Sequence, residues 1–292
     1  MMTPTPLHLA LIGNSILYYH DCPRLLEQML LSTKQYVDVQ QNSCLRGGAS
    51  LASLLEQGNG MRHKFQNDMS LQPDGTYDIG AATVDDLLQE HPNIVILQDH
   101  TQGPARQASR AQGLQVLEDR YSKMMNNAAK QKPSKVILLQ TAAYRTDGIH
   151  QSHDLGSFEE FTQQLTKGYQ LYQEVLQKKM HVEDCVVVIA PVGQAYAYLR
   201  STNPELWKRL YAMDDFHPSP LGTYLQACVL YIVITRLKPP DYNSHWWSTQ
   251  RYRQPNQGPP HPTPDEAQLL AQAAIQVCQE EYLNHRDETS KL

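Results

Sequence analysis

Three residues, Ser15, Asp214 and His217, have the types and spacing that could carry out acyl transfer. Asp and His stand three apart in DDFHPSPLG (214–222), just before a helix start marked by Ser219 and Pro220. Ser15 follows Gly13 and Asn14 at the end of a short apolar run, LHLALI (7–12). A serine hydroxyl is a weak nucleophile at neutral pH unless a base takes its proton as it attacks. A histidine can be that base, and a carboxylate can fix its tautomer and stabilise the imidazolium. Backbone N–H groups and an amide or imidazole side chain can hold the oxyanion. Candidates for that last task are the N–H groups of Ser15 and of Gly48 in RGGAS (46–50), with Gln98 or His100 in LQDHTQGP (97–104). Asp215 competes with Asp214 for the carboxylate role. The spacing favours Asp214, because Pro218 makes this a tight turn in which residues three apart meet.

Each residue also has a plainer reading. Ser15 can cap a helix, Gly47-Gly48 can be a turn that needs positive φ, and His100 can be structural. Tyr18 and Tyr19 read as packing or pocket wall, and Trp246-Trp247 as a cover for the cleft or a pin to the core. The twelve histidines raise a metal reading, with HQSH (150–153) as the closest pair. No carboxylate or cysteine lies at a convincing ligand spacing from it, so no metal and no cofactor is expected.

The elements that must position these residues follow from the apolar pattern. LHLALI and YVDVQQ (36–41) read as strands, and NIVILQ (93–98), KVILLQ (135–140) and CVVVIAP (185–191) as near-continuous apolar runs. Runs of that kind suit central strands covered on both faces. Helical patterns separate them at 22–32, 51–57, 106–131 and 157–180, while 58–84, with Gly, Asn, Asp and Pro, reads as a loop insertion. Alternating strands and helices predict a three-layer α/β/α fold, with a flavodoxin-like five-stranded parallel sheet in the order 2-1-3-4-5. Ligands of such sheets bind beyond the carboxyl ends of the strands, and Ser15, Gly48, Gln98 and His100 all follow strands. Residues 1–240 form the expected domain. Residues 241–292 are expected to add a strap rich in Pro, Gln, Asn and aromatics, and a helix from about Pro264 capped by Thr263, both packed on the same domain.

Composition narrows the partners. A net charge of −5 without basic runs longer than a Lys pair argues against nucleic acid. Mean hydropathy is −0.52, and no stretch reaches the roughly 18–20 apolar residues of a membrane span. Five scattered cysteines without a CxxC pair suit reduced thiols. With no basic-then-apolar leader visible, a cytoplasmic location is expected.

Taken together, IGNSILYYHD (12–21), RGGASL (46–51) and DDFHPSPLG resemble the sequence blocks of the SGNH (GDSL-like) hydrolase superfamily. The runs GNS-x-x-YY, LQDHTQGP, APVGQAY and HPSPLGTYLQAC are similar to a bacterial-type branch of it, and the matches span residues 8–240. The resemblance implies a carboxylic ester hydrolase working through an acyl-enzyme on a small-molecule ester. Ser15 would be nucleophile, His217 base and Asp214 orienter, with Ser15, Gly48 and Gln98 or His100 as the oxyanion hole. Two departures stand out. Gly-Asn-Ser replaces the usual Gly-Asp-Ser, and QDH stands where the family has Gly-x-Asn. A non-catalytic flavodoxin-like binding module and an acyltransferase using the same site are the alternatives.

Overall fold

The chain is described by a computed structural model, which covers residues 5–33, 35–61, 81–127, 132–147, 152–180, 185–250, 260–279 and 282. His150 of HQSH, most of the insertion at 58–84 and part of the strap lie outside the described residues.

Strand β1 (Thr5–Gly13) leads into a single helical turn, α1 (Ser15–Tyr18), then a 3₁₀ turn (Tyr19–Asp21) and α2 (Cys22–Leu31). Next come β2 (Tyr36–Leu45), α3 (Leu51–Gln57) and α4 (Val84–Gln89), then β3 (Ile94–Leu97). Helix α5 (Gln107–Val116) runs through a π-helical turn (Leu117–Tyr121) into α6 (Ser122–Asn127). After β4 (Lys135–Leu139) come the long α7 (Phe158–Lys179), β5 (Val186–Ala190), α8 (Val192–Thr202) and α9 (Pro204–Lys208). The last elements among the described residues are α10 (Pro220–Thr235), a 3₁₀ segment (Ser244–Thr249) and α11 (Pro264–Cys278).

The five strands form one sheet in the order β2-β1-β3-β4-β5, and every pairing is parallel. Strands β3 and β4 are buried almost throughout, as expected of apolar runs covered on both faces. The order reverses at β1. Right-handed crossovers therefore send α2 to one face and the later connections to the other. The packing agrees: α2 and α11 lie against α10, whereas α5 packs with α3 and α7. Helix α10 is buried along its whole length, which explains a sequence that is apolar all round. Among the described residues no helix is long and apolar enough to cross a membrane.

The reversal point positions the site. Gly13 pairs with Leu45 and Ile12 with Leu97, so β1, β2 and β3 end level with one another. The residues that follow them emerge side by side in the crevice between diverging connections. Two helical stretches depart from the sequence reading. Helix α4 begins at the last residue of the expected loop and fills a stretch to which the sequence reading assigns no element, and Thr83 and Asp86 cap it reciprocally. The expected 106–131 helix is interrupted by the π turn. Trp246 and Trp247 are buried, in a segment that packs on α2. Trp247 donates to the Tyr242 hydroxyl at 3.1 Å within the strap, and the two buried indoles pin the strap to the core.

Candidate active site

Ser15 occupies the first position of α1, directly beyond β1. Gly13 allows the turn, because a Cβ there would come within 2.7 Å of both Gln98 Oε1 and Leu17 Cδ1. Asn14 caps the helix, with Oδ1 accepting the Ile16 N–H at 3.1 Å. Its Nδ2 donates to the carbonyls of Ala49 at 2.8 Å and Asp99 at 3.3 Å. That pairing accounts for the first departure from the family's block: the side chain faces two carbonyls, which an amide can serve and a carboxylate cannot.

The three residues singled out for nucleophile, base and carboxylate meet, although Ser15 and His217 are 202 positions apart. His217 Nε2 lies 2.7 Å from Ser15 Oγ, and His217 Nδ1 lies 2.7 Å from Asp214 Oδ2. With Asp214 accepting the Nδ1 proton, Nε2 is left as the acceptor for the serine hydroxyl. The turn is built by Asp214 Oδ1, which accepts the N–H groups of Phe216 at 3.3 Å and His217 at 3.0 Å. Burial works against charge on Asp214. The hydrogen bonds from the His217 ring and from these N–H groups outweigh it, and the carboxyl is held below its ordinary range.

Asp215 has a different job. Its backbone is left-handed, with φ of 69°, which turns its side chain towards Arg145 and Thr146. It forms an ion pair with Arg145 and accepts the Thr146 hydroxyl at 2.9 Å. Beyond Pro218, Ser219 caps α10 by accepting the N–H groups of Leu221 and Gly222 at 3.2 and 3.3 Å.

Gly48 sits at the exposed edge of the β2–α3 turn with φ of +68°, a conformation that favours glycine. Among the described residues, neither its N–H nor that of Ser15 has an acceptor. Gln98 is fully buried and its amide is engaged. Oε1 accepts the Asn14 N–H at 2.9 Å, and Nε2 donates to the Asp99 carbonyl. The structure thus uses Gln98 to brace the turn that carries Ser15. His100 is half-buried, and desolvation lowers its pKa although Asp99 lies beside it.

Sequence reasoning missed Asp99, the buried hub behind this surface. Its carboxylate accepts the N–H groups of Leu51 at 2.9 Å and His100 at 2.8 Å, and the Tyr172 hydroxyl at 2.8 Å. It thereby ties the start of α3, just past Gly48, to the end of β3. Burial pushes its pKa up against those three donors. Among the described residues no three His, Cys, Asp or Glu side chains cluster as a metal site would require.

No protein-family model and no curated protein sequence matches the chain, but solved structures do. A DUF4886 family protein from Bacteroides uniformis superposes with a TM-score of 0.58 at 16% identity, covering 97% of this chain and 99% of that one. A candidate SGNH hydrolase from Slackia heliotrinireducens gives a TM-score of 0.52 at 21% identity, covering 79% of this chain and all of its own. The fold is that of the SGNH hydrolases.

Proposed function

We propose that this chain is a serine hydrolase that cleaves carboxylic esters of small molecules through an acyl-enzyme. The observation that carries the reading is the unbroken line Ser15 Oγ–His217 Nε2 and His217 Nδ1–Asp214 Oδ2, with both contacts at 2.7 Å. A binding pocket has no use for a base aimed at a serine.

In this reading Ser15 Oγ attacks the ester carbonyl carbon while its proton passes to His217 Nε2. Asp214 stabilises the imidazolium and keeps the ring in register. The tetrahedral oxyanion is held by the N–H groups of Ser15 and Gly48, which have no other acceptor among the described residues. A donor of this kind is worth roughly 10²–10³ in turnover. The third donor falls to His100, because the amide of Gln98 is spent on Asn14 and Asp99. The intermediate collapses as the alcohol leaves with the proton from His217. Water, deprotonated by His217 in its turn, attacks the acyl-enzyme; the acid departs and Ser15 Oγ recovers its proton. Each proton stays on Ser15, His217, water or the leaving alcohol, and no step calls on a cofactor.

A serine-reactive fluorophosphonate should label the wild type and leave Ser15→Ala and His217→Ala unlabelled. p-Nitrophenyl esters from acetate to palmitate should be turned over by the wild type alone, and a Ser15→Ala protein with wild-type turnover would sink the assignment.

A further inference from the structure

The Tyr19 ring lies flat against the His217 imidazole, with centroids 4.0 Å apart and planes within 9°. The other ring against His217, that of Phe216, is tilted by 39°, and the backbone directly after Tyr19 is bent. His20 and Asp21, the two residues after Tyr19, both have left-handed backbones, with φ of 51° and 52°. Consecutive non-glycine residues in that region are costly and persist only where their surroundings enforce them.

Those surroundings can be named. Helix α10 grips the segment from one side: Thr223 Oγ1 donates to the Tyr19 carbonyl at 3.3 Å, and Gln226 Nε2 to the Ile16 carbonyl at 3.2 Å. Gln250 from the strap donates to the His20 carbonyl. Asp21 closes the turn by capping α2, accepting the Arg24 N–H at 3.4 Å. Helix α10 begins three residues after His217. One rigid element therefore carries the imidazole at its entrance and holds the backbone that presents the tyrosine ring. The stack is fixed from both sides.

A ring face is the negative part of an aromatic quadrupole, and it attracts a cation placed over it. In acyl transfer His217 is neutral at rest and becomes an imidazolium as the serine proton arrives. A ring stacked on it therefore favours the charged state, formed only along the reaction path, over the resting one. We propose that Tyr19 is a positioning residue of this site, whose ring face steadies His217 and stabilises its imidazolium form. This rests on His217 being the base, as in the reading above.

The test replaces Tyr19 by Phe and then by fluorinated phenylalanines of rising fluorine content, introduced at a reassigned codon. Fluorine drains the ring face of electron density while nearly keeping its shape, so the fold is retained. The readout is phosphonylation of Ser15 by a fluorophosphonate, resolved into a saturating rate and a half-saturation concentration. Tyr19→Phe should label within about twofold of wild type. The saturating rate should then fall stepwise, by about tenfold in all at pentafluorophenylalanine, with half-saturation unchanged. A flat series in a protein whose wild type labels normally overturns the role of Tyr19 and leaves the hydrolase reading standing. A wild type that does not label overturns both. Thermal melting of each variant checks that the fold persists, and a rate loss confined to variants that melt early also overturns the proposal.

Discussion

The Asn14 side chain bridges to the carbonyl of Ala49, with Nδ2 donating at 2.8 Å. This bond joins the residue before the nucleophile to the residue after Gly48, so it sets the spacing between the two proposed oxyanion donors. The same nitrogen lies 3.3 Å from the Asp99 carbonyl, and the whole arrangement is buried. Asn14→Asp, which restores the family's usual block, should therefore harm this chain. A carboxylate would face two carbonyls and leave that of Ala49 without its donor, at a cost of about 2 kcal/mol or more. Urea unfolding should show the loss, and ester turnover should fall by at least tenfold as the Gly48 turn shifts. An Asn14→Asp variant as stable and active as wild type would show that the amide's donors are dispensable.

The two adjacent aspartates give a sharper comparison. Asp214 holds His217 Nδ1, whereas Asp215 is committed to Arg145 and Thr146. Asp214→Asn presents an amide to Nδ1 and favours the wrong tautomer, which costs roughly 10⁴ in turnover in the serine-protease precedent. Asp215→Asn keeps a residue type that tolerates positive φ and should lower kcat by less than about tenfold. Measuring kcat for both on the best ester decides the matter. The reverse ranking would move the orienting role to Asp215.

The sequence made the frame legible because the apolar runs are long and unmixed. IVIL at 94–97 and KVILL at 135–139 became central strands within a residue of the expected bounds, and α3 spans Leu51–Gln57 as expected. That alternation defines an open doubly wound sheet but suits more than one strand order. The order 2-1-3-4-5 is that of the flavodoxin-like arrangement expected alongside the SGNH resemblance, and the structure has it. The second strand runs on to Leu45 because edge strands mix polar with apolar residues, and Gln40 to Ser43 hid its end. Helix α4 escaped because it is six residues long in polar surroundings, though its capping pair Thr83 and Asp86 was a usable signal. At the site, the Asp-x-x-His spacing pointed to the His217 turn. The brace of Gln98 against Asn14 and the bond from Tyr172 to the buried Asp99 reach across 84 and 73 positions. The Tyr19 stack joins the first strand's exit to a turn near the far end of the sheet domain. No local pattern encodes contacts of that range.

Asp99 provides a test of the scaffold behind the site. Its carboxyl is raised by burial, so between the ordinary carboxylate range and its raised pKa the folded chain binds more protons than the unfolded one. Stability from this group is thus present at low pH and is lost as pH rises through the folded value. Asp99→Asn removes the buried charge while its oxygen can still accept from Leu51 and His100. Relative to wild type, this variant should gain stability as pH rises from about 4 to 7. Asp99→Leu orphans both N–H groups and should lose about 3 kcal/mol at neutral pH. Denaturant midpoints across that range give the answer, and parallel curves for wild type and Asp99→Asn would refute a raised pKa.

His20 predicts the opposite slope. It is buried at the strained turn after Tyr19, its Nε2 has no hydrogen-bond partner among the described residues, and φ is 51°. Burial, helped by the nearby His261 imidazole, lowers its pKa to about 4. The unfolded chain takes up this proton near the ordinary value of about 6.5, so between the two values it binds more protons than the fold does. Stability is then fully present above about pH 6.5 and drains away as pH falls towards 4, by up to about 3 kcal/mol from this one group. Asn cannot titrate in this range and tolerates a left-handed backbone, so His20→Asn should flatten that acid limb. Urea unfolding of both proteins at several pH values between about 7.5 and 4.5 measures the difference, in which carboxylate contributions cancel. Equal acid sensitivity in the two proteins would mean that His20 takes up its proton in the fold as readily as in the unfolded chain.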